Sequence, residues 1–308
     1  NVPTAGTSAA EVDDDGLAGG NPVSTVGDQA DANADGDNDE TTFGGTLTLN
    51  FGGDGAGTVD FASMDTLTGT VGQETVTYSW NALTNTLTAT GPRGVLFTVE
   101  VTDPSTGAYK VTLVDNVLHA LGPNDENDAS VSLNYNVTDA DGSVATVPGT
   151  LTITFDDDAP SATDEASQDV NEGATVSGTL DFAQGADGAS VTHVNGAALV
   201  FSAGAAEFSD WVDIGEGMIR VKADGSYEFT ADNSTISPVT PTSATFTVTD
   251  ADGDTATAKV SFQIVDANVP TAGTSAAEVD DDGLAGGNAL STVGDLADAN
   301  ADGDNDET

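Results

Sequence analysis

The chain has 308 residues, room for two or three domains. Hydrophobic residues make up 37% and aromatics 6%, enough for small sandwich cores but little for a helical globule. Acids outnumber bases 52 to 5, a formal charge of −47, so no basic patch can form: nucleic acid and anionic membrane surfaces are poor partners, and divalent cations are the natural counter-ions.

There is no Cys, which excludes disulfides and Cys-ligated zinc. No stretch approaches the roughly 18 apolar residues of a membrane span, so no direct membrane insertion is expected.

Taken along the chain, the first signal is Glu11 with Asp13, Asp14 and Asp15, an acidic turn after a short strand. An acidic insertion follows. In DANADGDNDETT, Asp31, Asn33 and Asp35 stand at positions 1, 3 and 5 of an EF-hand-like loop, with Gly36 at position 6, and Asp37 is a further candidate ligand of the same run. Position 12 is Thr42 where a bidentate Glu is required, so the segment is half a motif without flanking helices. A disordered acidic loop is the competing reading.

Alternating apolar residues then predict strands almost throughout. Val131, Leu133, Tyr135 and Val137 alternate with polar residues, as do Leu151, Ile153 and Phe155, then Phe246 and Val248, and last Val260, Phe262 and Ile264. Turn residues recur every 8–12 positions, the pattern of antiparallel β-sandwiches. The two best helical candidates are short, near Val114–Leu121 and Phe208–Val212.

Two repeats organise this pattern. Residues 1–41 recur as 268–308 with only positions 22, 23 and 29 changed, so the chain is expected to be one period of a longer tandem array plus the start of the next. A weaker repeat divides the period. Gly45–Leu47 and Gly178–Leu180 both read GTL; Asp54–Ala56 and Asp187–Ala189 both read DGA; Gly-x-Tyr occurs at Gly107–Tyr109 and Gly225–Tyr227; VTDADG occurs at Val137–Gly142 and Val248–Gly253. The expected division is a longer sandwich at 1–159, a second at 160–267, and a partial repeat at 268–308.

If each half is an immunoglobulin-like sandwich with termini at opposite poles, VTDADG is the turn between its last two strands and faces the preceding linker. Acids then converge at the junction. The first half contributes Glu11, Asp13, Asp14, Asp15, and Asp125, Glu126 and Asp128 from NDEND; the linker contributes Asp156, Asp157 and Asp158; the second half contributes Asp187, Asp250 and Asp252. At about 4 Å, like charges cost several kcal/mol even at an effective dielectric near 20, so such a cluster calls for a cation. Calcium, with 6–8 oxygens in a flexible shell, fits better than magnesium. The corresponding turn of the first half offers Asp54, Asp139 and Asp141, and the next junction offers Glu172, Asp266, Asn268 and Glu278.

Each motif also has a bland reading: VTDADG as an Asx-capped turn, DDD as a solvated linker, the overall acidity as halophilic surface chemistry. His119 and His193 read as packing or surface residues. Nothing pairs a nucleophile with a base, so no enzyme is expected. A carbohydrate-binding module is the rival; Trp80, Trp211 and the four Tyr stand at core-like spacing and form no obvious platform.

The DADG turns and acidic links resemble the calcium sites of cadherin junctions. More broadly, EVDDDGLAGGN, the acidic insertion, NYNVTDADGS with GTLTITFDDDAP, and TFTVTDADGD resemble the extender repeats of giant RTX adhesins of Gram-negative bacteria, exported by type I secretion. That resemblance covers the chain. It implies calcium-binding sandwiches that hold a distal ligand-binding module away from the cell, with neighbouring repeats of the same chain as the partners and a monomeric, extracellular location.

Overall fold

The computed structural model describes residues 2–20, 40–120, 128–204, 206–233, 239–267, 270–275 and 284–286. Residues 1–267 form one compact unit and 268–308 a second; the described residues of the second form no strand. Among the described residues the chain is all-β, and its sole helix is the 3-10 turn Ala62–Met64. Neither helical expectation holds. Residues 114–120 and 208–211 are irregular.

Two β-sandwiches lie in tandem. In the first, a sheet in the order Thr7–Asp13, Gly149–Asp156, Ala129–Thr138, Thr58–Asp60 faces a second sheet. That second sheet runs Thr42–Thr46, Ala108–Leu113, Val95–Asp103, Thr86–Thr90, Glu74–Asn81, Thr68–Val71. In the second sandwich the sheets are Gln168–Asn171, Thr255–Val265, Val239–Thr249, Ser190–Val194, Ala197–Ala198 and Thr175–Thr179, Ser226–Ala231, Gly217–Val221, Val212–Asp213. In both, the opening strand pairs parallel with the closing one, and the closing two form an antiparallel hairpin. The first therefore exceeds a seven-strand frame, because strands between 68 and 103 extend its second sheet.

The alternation buries as expected. Leu133, Tyr135, Val137, Leu151, Ile153 and Phe155 are fully buried, and so are Val248, Phe262 and Ile264. The apolar residues form two separate clusters, one drawn from 10–155 and the other from 170–264. Burying each large side chain contributes about 1.5–3 kcal/mol, so these alternating runs hold the layers together.

The weak internal repeat has a structural meaning. Gly45 pairs with Tyr109 across one sheet, and Gly178 pairs with Tyr227 across the other. A Cβ at Gly45 would stand 2.9 Å from Tyr109 Oη, and one at Gly178 would stand 2.5 Å from Tyr227 Oη. Each glycine thus leaves room for a ring lying flat over it. Each hydroxyl then reaches the opening strand of its own sandwich: Tyr109 Oη donates to Ala9 O at 2.8 Å, and Tyr227 Oη accepts from Gln168 Nε2. The pair stitches one sheet to the other, which is why GTL and Gly-x-Tyr recur together.

Candidate metal centre at the junction

Parallel pairing sets Asp13 beside Asp156 at the ends of the opening and closing strands of the first sandwich. The chain turns at once after Asp13. Asp13 Oδ1 accepts the Asp15 N–H at 2.9 Å, an Asx turn, and the Leu17 N–H closes on Asp14 O at 2.9 Å. Asp13, Asp14, Asp15, Asp156, Asp157 and Asp158 are all buried at this pole, at 3% exposure or less. For six consecutive-run aspartates that degree of burial demands compensation.

The second sandwich meets this pole with two loops. Residues 184–189 bring Ala186 N–H to Asp158 Oδ2 at 2.6 Å and carry Asp187. The 250–254 turn brings Asp250, Asp252 and Asp254. Asp250 Oδ1 caps the turn, accepting from Gly253 N–H at 2.9 Å and Asp254 N–H at 2.7 Å. The Asx-turn reading is therefore right for that oxygen, while Asp252 and Asp254 are turned inward and buried.

Residues 114–120 close the site from the side. Val117 N–H donates to Asp14 Oδ2 at 3.1 Å, His119 N–H donates to Asp252 Oδ2 at 2.9 Å, and Leu118 O accepts from Gln73 N–H at 2.7 Å. These backbone groups serve carboxylates and a neighbouring turn, so they are not available for a helical turn, and the segment is irregular. Arg93 forks onto Glu74 at 2.7 and 3.0 Å and also holds the side chain of Asn116 at 2.7 Å, which in turn donates to Asp187 Oδ1.

Three groups of potential ligand atoms result, each within 4.8 Å: Asp157 with Asp187 and Asp252; Asp250 with Asp252 and Asp254; Asp14 with His119 and Asp157. Asp14 Oδ1, Asp156 Oδ2, Asp187 Oδ2, Asp252 Oδ1 and Asp254 Oδ1 are shielded from solvent and receive no hydrogen bond. Burial raises the Asp187 carboxyl to about 8, with Asp252 adding to it, and raises Asp254 to about 7, with Asp157 and Asp252 adding. Asp250 is pushed up to about 7 by burial and by Asp252. Asp156 rises to about 8 through burial, then Asp13, Glu11 and Asp128; Asp14 is raised chiefly by burial. Acids that resist ionising together can be relieved either by holding protons or by a bound cation.

Other expected residues lie elsewhere. Asp54, Asp139 and Asp141 come together at the opposite pole of the first sandwich, where Asp139 Oδ2 is buried without a donor. Glu172 is buried and its N–H donates to Val265 O at 3.0 Å; Asp266 is half-buried. Asp31, Asn33, Asp35, Asp37, Asp125, Glu126, Asn268 and Glu278 lie outside the described residues.

Three participants escape the sequence reading. Asp254 directly follows the second VTDADG, where the first copy has Ser143, and that difference was the available signal. Asn116 carries no motif. His119 is packed, as expected of it, but among acids: fully buried, with Nδ1 2.9 Å from Asp157 Oδ1 and 3.9 Å from Asp252 Oδ2. Burial opposes its charge, but Asp157 and Asp14 outweigh this and push the imidazole up to about 9. Nor is Trp211 a core residue. It is 40% exposed, and Arg220 lies 4.6 Å from its ring and 4.7 Å from that of Phe208.

Comparison with known proteins places the second sandwich first. Residues 157–263 match the family model of a bacterial Ig domain. No curated protein matches the chain. Among solved structures, human CDH23 EC21-23 aligns over 86% of this chain and 70% of its own, at 13% identity and a TM-score of 0.28. Human Protocadherin-24 EC1-2 aligns over 86% and 98%, at 16% identity and a TM-score of 0.25. The D00-D0 domain of Intimin aligns over 80% and 98%, at 11% identity and a TM-score of 0.22. Superpositions this loose carry no weight of their own; the sandwich fold rests on strand order, register and the bacterial Ig match.

Proposed function

We propose that this chain is a non-enzymatic extender segment of a bacterial surface adhesin, in which Ca²⁺ at the junction between sandwiches stiffens the array and projects a distal ligand-binding module. One observation carries the reading: Asp157 of the linker meets Asp187 and Asp252 of the second sandwich, where Asp187 Oδ2 and Asp252 Oδ1 are buried and receive no hydrogen bond. The donor set fits calcium, being carboxylate-rich and flexible in denticity. Asp157, Asp187 and Asp252 would hold the ion, with Asp254 of the adjoining group beside them, and its charge would offset the mutual repulsion. The partners in this reading are neighbouring repeats of the same chain, the location is outside the cell, and the segment is a monomer. An affinity on the order of 10⁻⁴–10⁻³ M would suit extracellular calcium and leave the chain flexible before export.

Small-angle scattering and thermal melting, with and without calcium at constant ionic strength, test this. Calcium should narrow the distribution of radii of gyration and raise the melting temperature; unchanged scattering and melting would sink the mechanical role. The carbohydrate-binding reading has one feature in its favour, the exposed Trp211 beside Phe208. Arg220 already lies against both rings, however, and specific saturable binding on a glycan array would be needed to sustain it.

A further inference from the structure

His119 is fully buried, and its ring nitrogens have unequal surroundings. Nε2 lies 3.2 Å from Phe155 O. A carbonyl can only accept, so Nε2 carries a hydrogen and donates it. That fixes the orientation of the ring and points Nδ1 into the acidic cluster. There Nδ1 completes no hydrogen bond, although it approaches Asp157 Oδ1 to 2.9 Å, off the axis such a bond would need. Asp14 Oδ1 is likewise buried and has no donor.

A bare lone pair on Nδ1 facing carboxylates is repulsive, so either a proton or a metal ion must stand between them, and the two compete for the same nitrogen. Calcium is a poor candidate for that position, because it selects oxygen and not imidazole nitrogen. Imidazole with carboxylates is instead a donor set of borderline divalent ions, tetrahedral for zinc with N and O at about 2.0–2.2 Å. The imidazole N–H held by a backbone carbonyl is the usual outer support of a metal-bound histidine. Nδ1, an Asp14 oxygen and an Asp157 oxygen already lie within 4.8 Å of one another.

We propose that the junction holds a second class of ion, a borderline divalent cation such as Zn²⁺, bound by His119 Nδ1 with Asp14 and Asp157. Asp252 Oδ2 lies 3.9 Å from Nδ1. Asp157 then links the zinc position to the all-oxygen group formed with Asp187 and Asp252. The proposal goes beyond the calcium reading and does not require it.

The test uses the whole chain with ¹⁵N-labelled histidine. The sequence has two histidines, and a His193→Gln variant assigns them. The sample is first saturated with calcium, its melting temperature recorded, and then titrated with ZnCl₂. Zinc should move the His119 Nδ1 resonance and saturate at one equivalent, leaving His193 unmoved; His119→Gln should lose that equivalent in calorimetry. If the His119 nitrogens keep their shifts through the titration, or His119→Gln binds zinc as the parent does, the imidazole is only a counter-charge and the proposal is wrong. Should His119→Gln not fold, the resonance of the unaltered chain decides alone. A calcium step without effect on melting counts against the calcium reading and leaves the zinc result to be read separately.

Discussion

The backbone N–H of His119 donates to Asp252 Oδ2 at 2.9 Å, so the first sandwich caps a carboxylate of the second across 133 positions of sequence. The Asn116 side chain does the same for Asp187. These bonds run between sandwiches, and they orient the two carboxylates that face Asp157. The junction is thus partly organised by the protein, and a bound ion would complete it.

Removing the inward carboxylates of the turn should separate calcium binding from folding. Asp252→Ala with Asp254→Ala should abolish most of the calcium-induced rise in melting temperature. At 100 times its dissociation constant a lost ion removes about 2.7 kcal/mol of linked stability. The first sandwich should keep its near-ultraviolet circular dichroism, since its cluster is drawn from 10–155 alone. Loss of that signal in the double variant would show the two sandwiches to be inseparable.

Stability without calcium should fall as pH rises, because the junction carboxyls hold their protons in the folded state. Asp156 and Asp187 have folded-state values raised to about 8, against about 4 unfolded. The folded state therefore binds more protons, and stability falls as pH rises from about 4 to 8. Urea denaturation in EDTA across that range should show the decline, and saturating calcium should flatten it. A calcium-free chain most stable at pH 8 would contradict the electrostatic account.

Gly178→Ala should destabilise the second sandwich by about 1–3 kcal/mol, because the new Cβ would meet Tyr227 Oη at 2.5 Å and the ring must shift. Gly45→Ala should act likewise in the first, against Tyr109. Chemical denaturation of each variant measures the cost. A neutral result would mean the ring-over-glycine stitch contributes nothing.

Arg93→Gln should cost about 1.5–3 kcal/mol, since Glu74 is 8% exposed and loses a forked charged partner. It should also weaken calcium binding several-fold by freeing Asn116 from Arg93, and so loosening Asp187. Adding Glu74→Gln should recover part of the stability but not the calcium affinity, a split readable by melting and calorimetry on the same samples.

Much of the fold was legible because the physics is local. Alternating Leu133, Tyr135 and Val137 can bury one face only as a strand, and DADG between two such runs can only be a turn. Polarity then follows, since a turn before the closing strand must face the incoming linker. That logic brought Asp157, Asp187 and Asp252 together on paper and in space. The helical expectation at 114–121 failed for a tertiary reason: Val117 and His119 give their N–H groups to Asp14 and Asp252.

What the sequence determined by itself, then, was the strand pattern, which depends on neighbours a few residues apart, and, through the internal repeat and the polarity of the closing hairpin, the convergence of Asp157 with Asp187 and Asp252. Which oxygens are capped and which are left without a donor, and that His119 stands among them, was decided only by the tertiary structure. A lone histidine has no periodicity to betray it, and hydrogen bonds spanning 103 and 133 positions leave no trace in local composition.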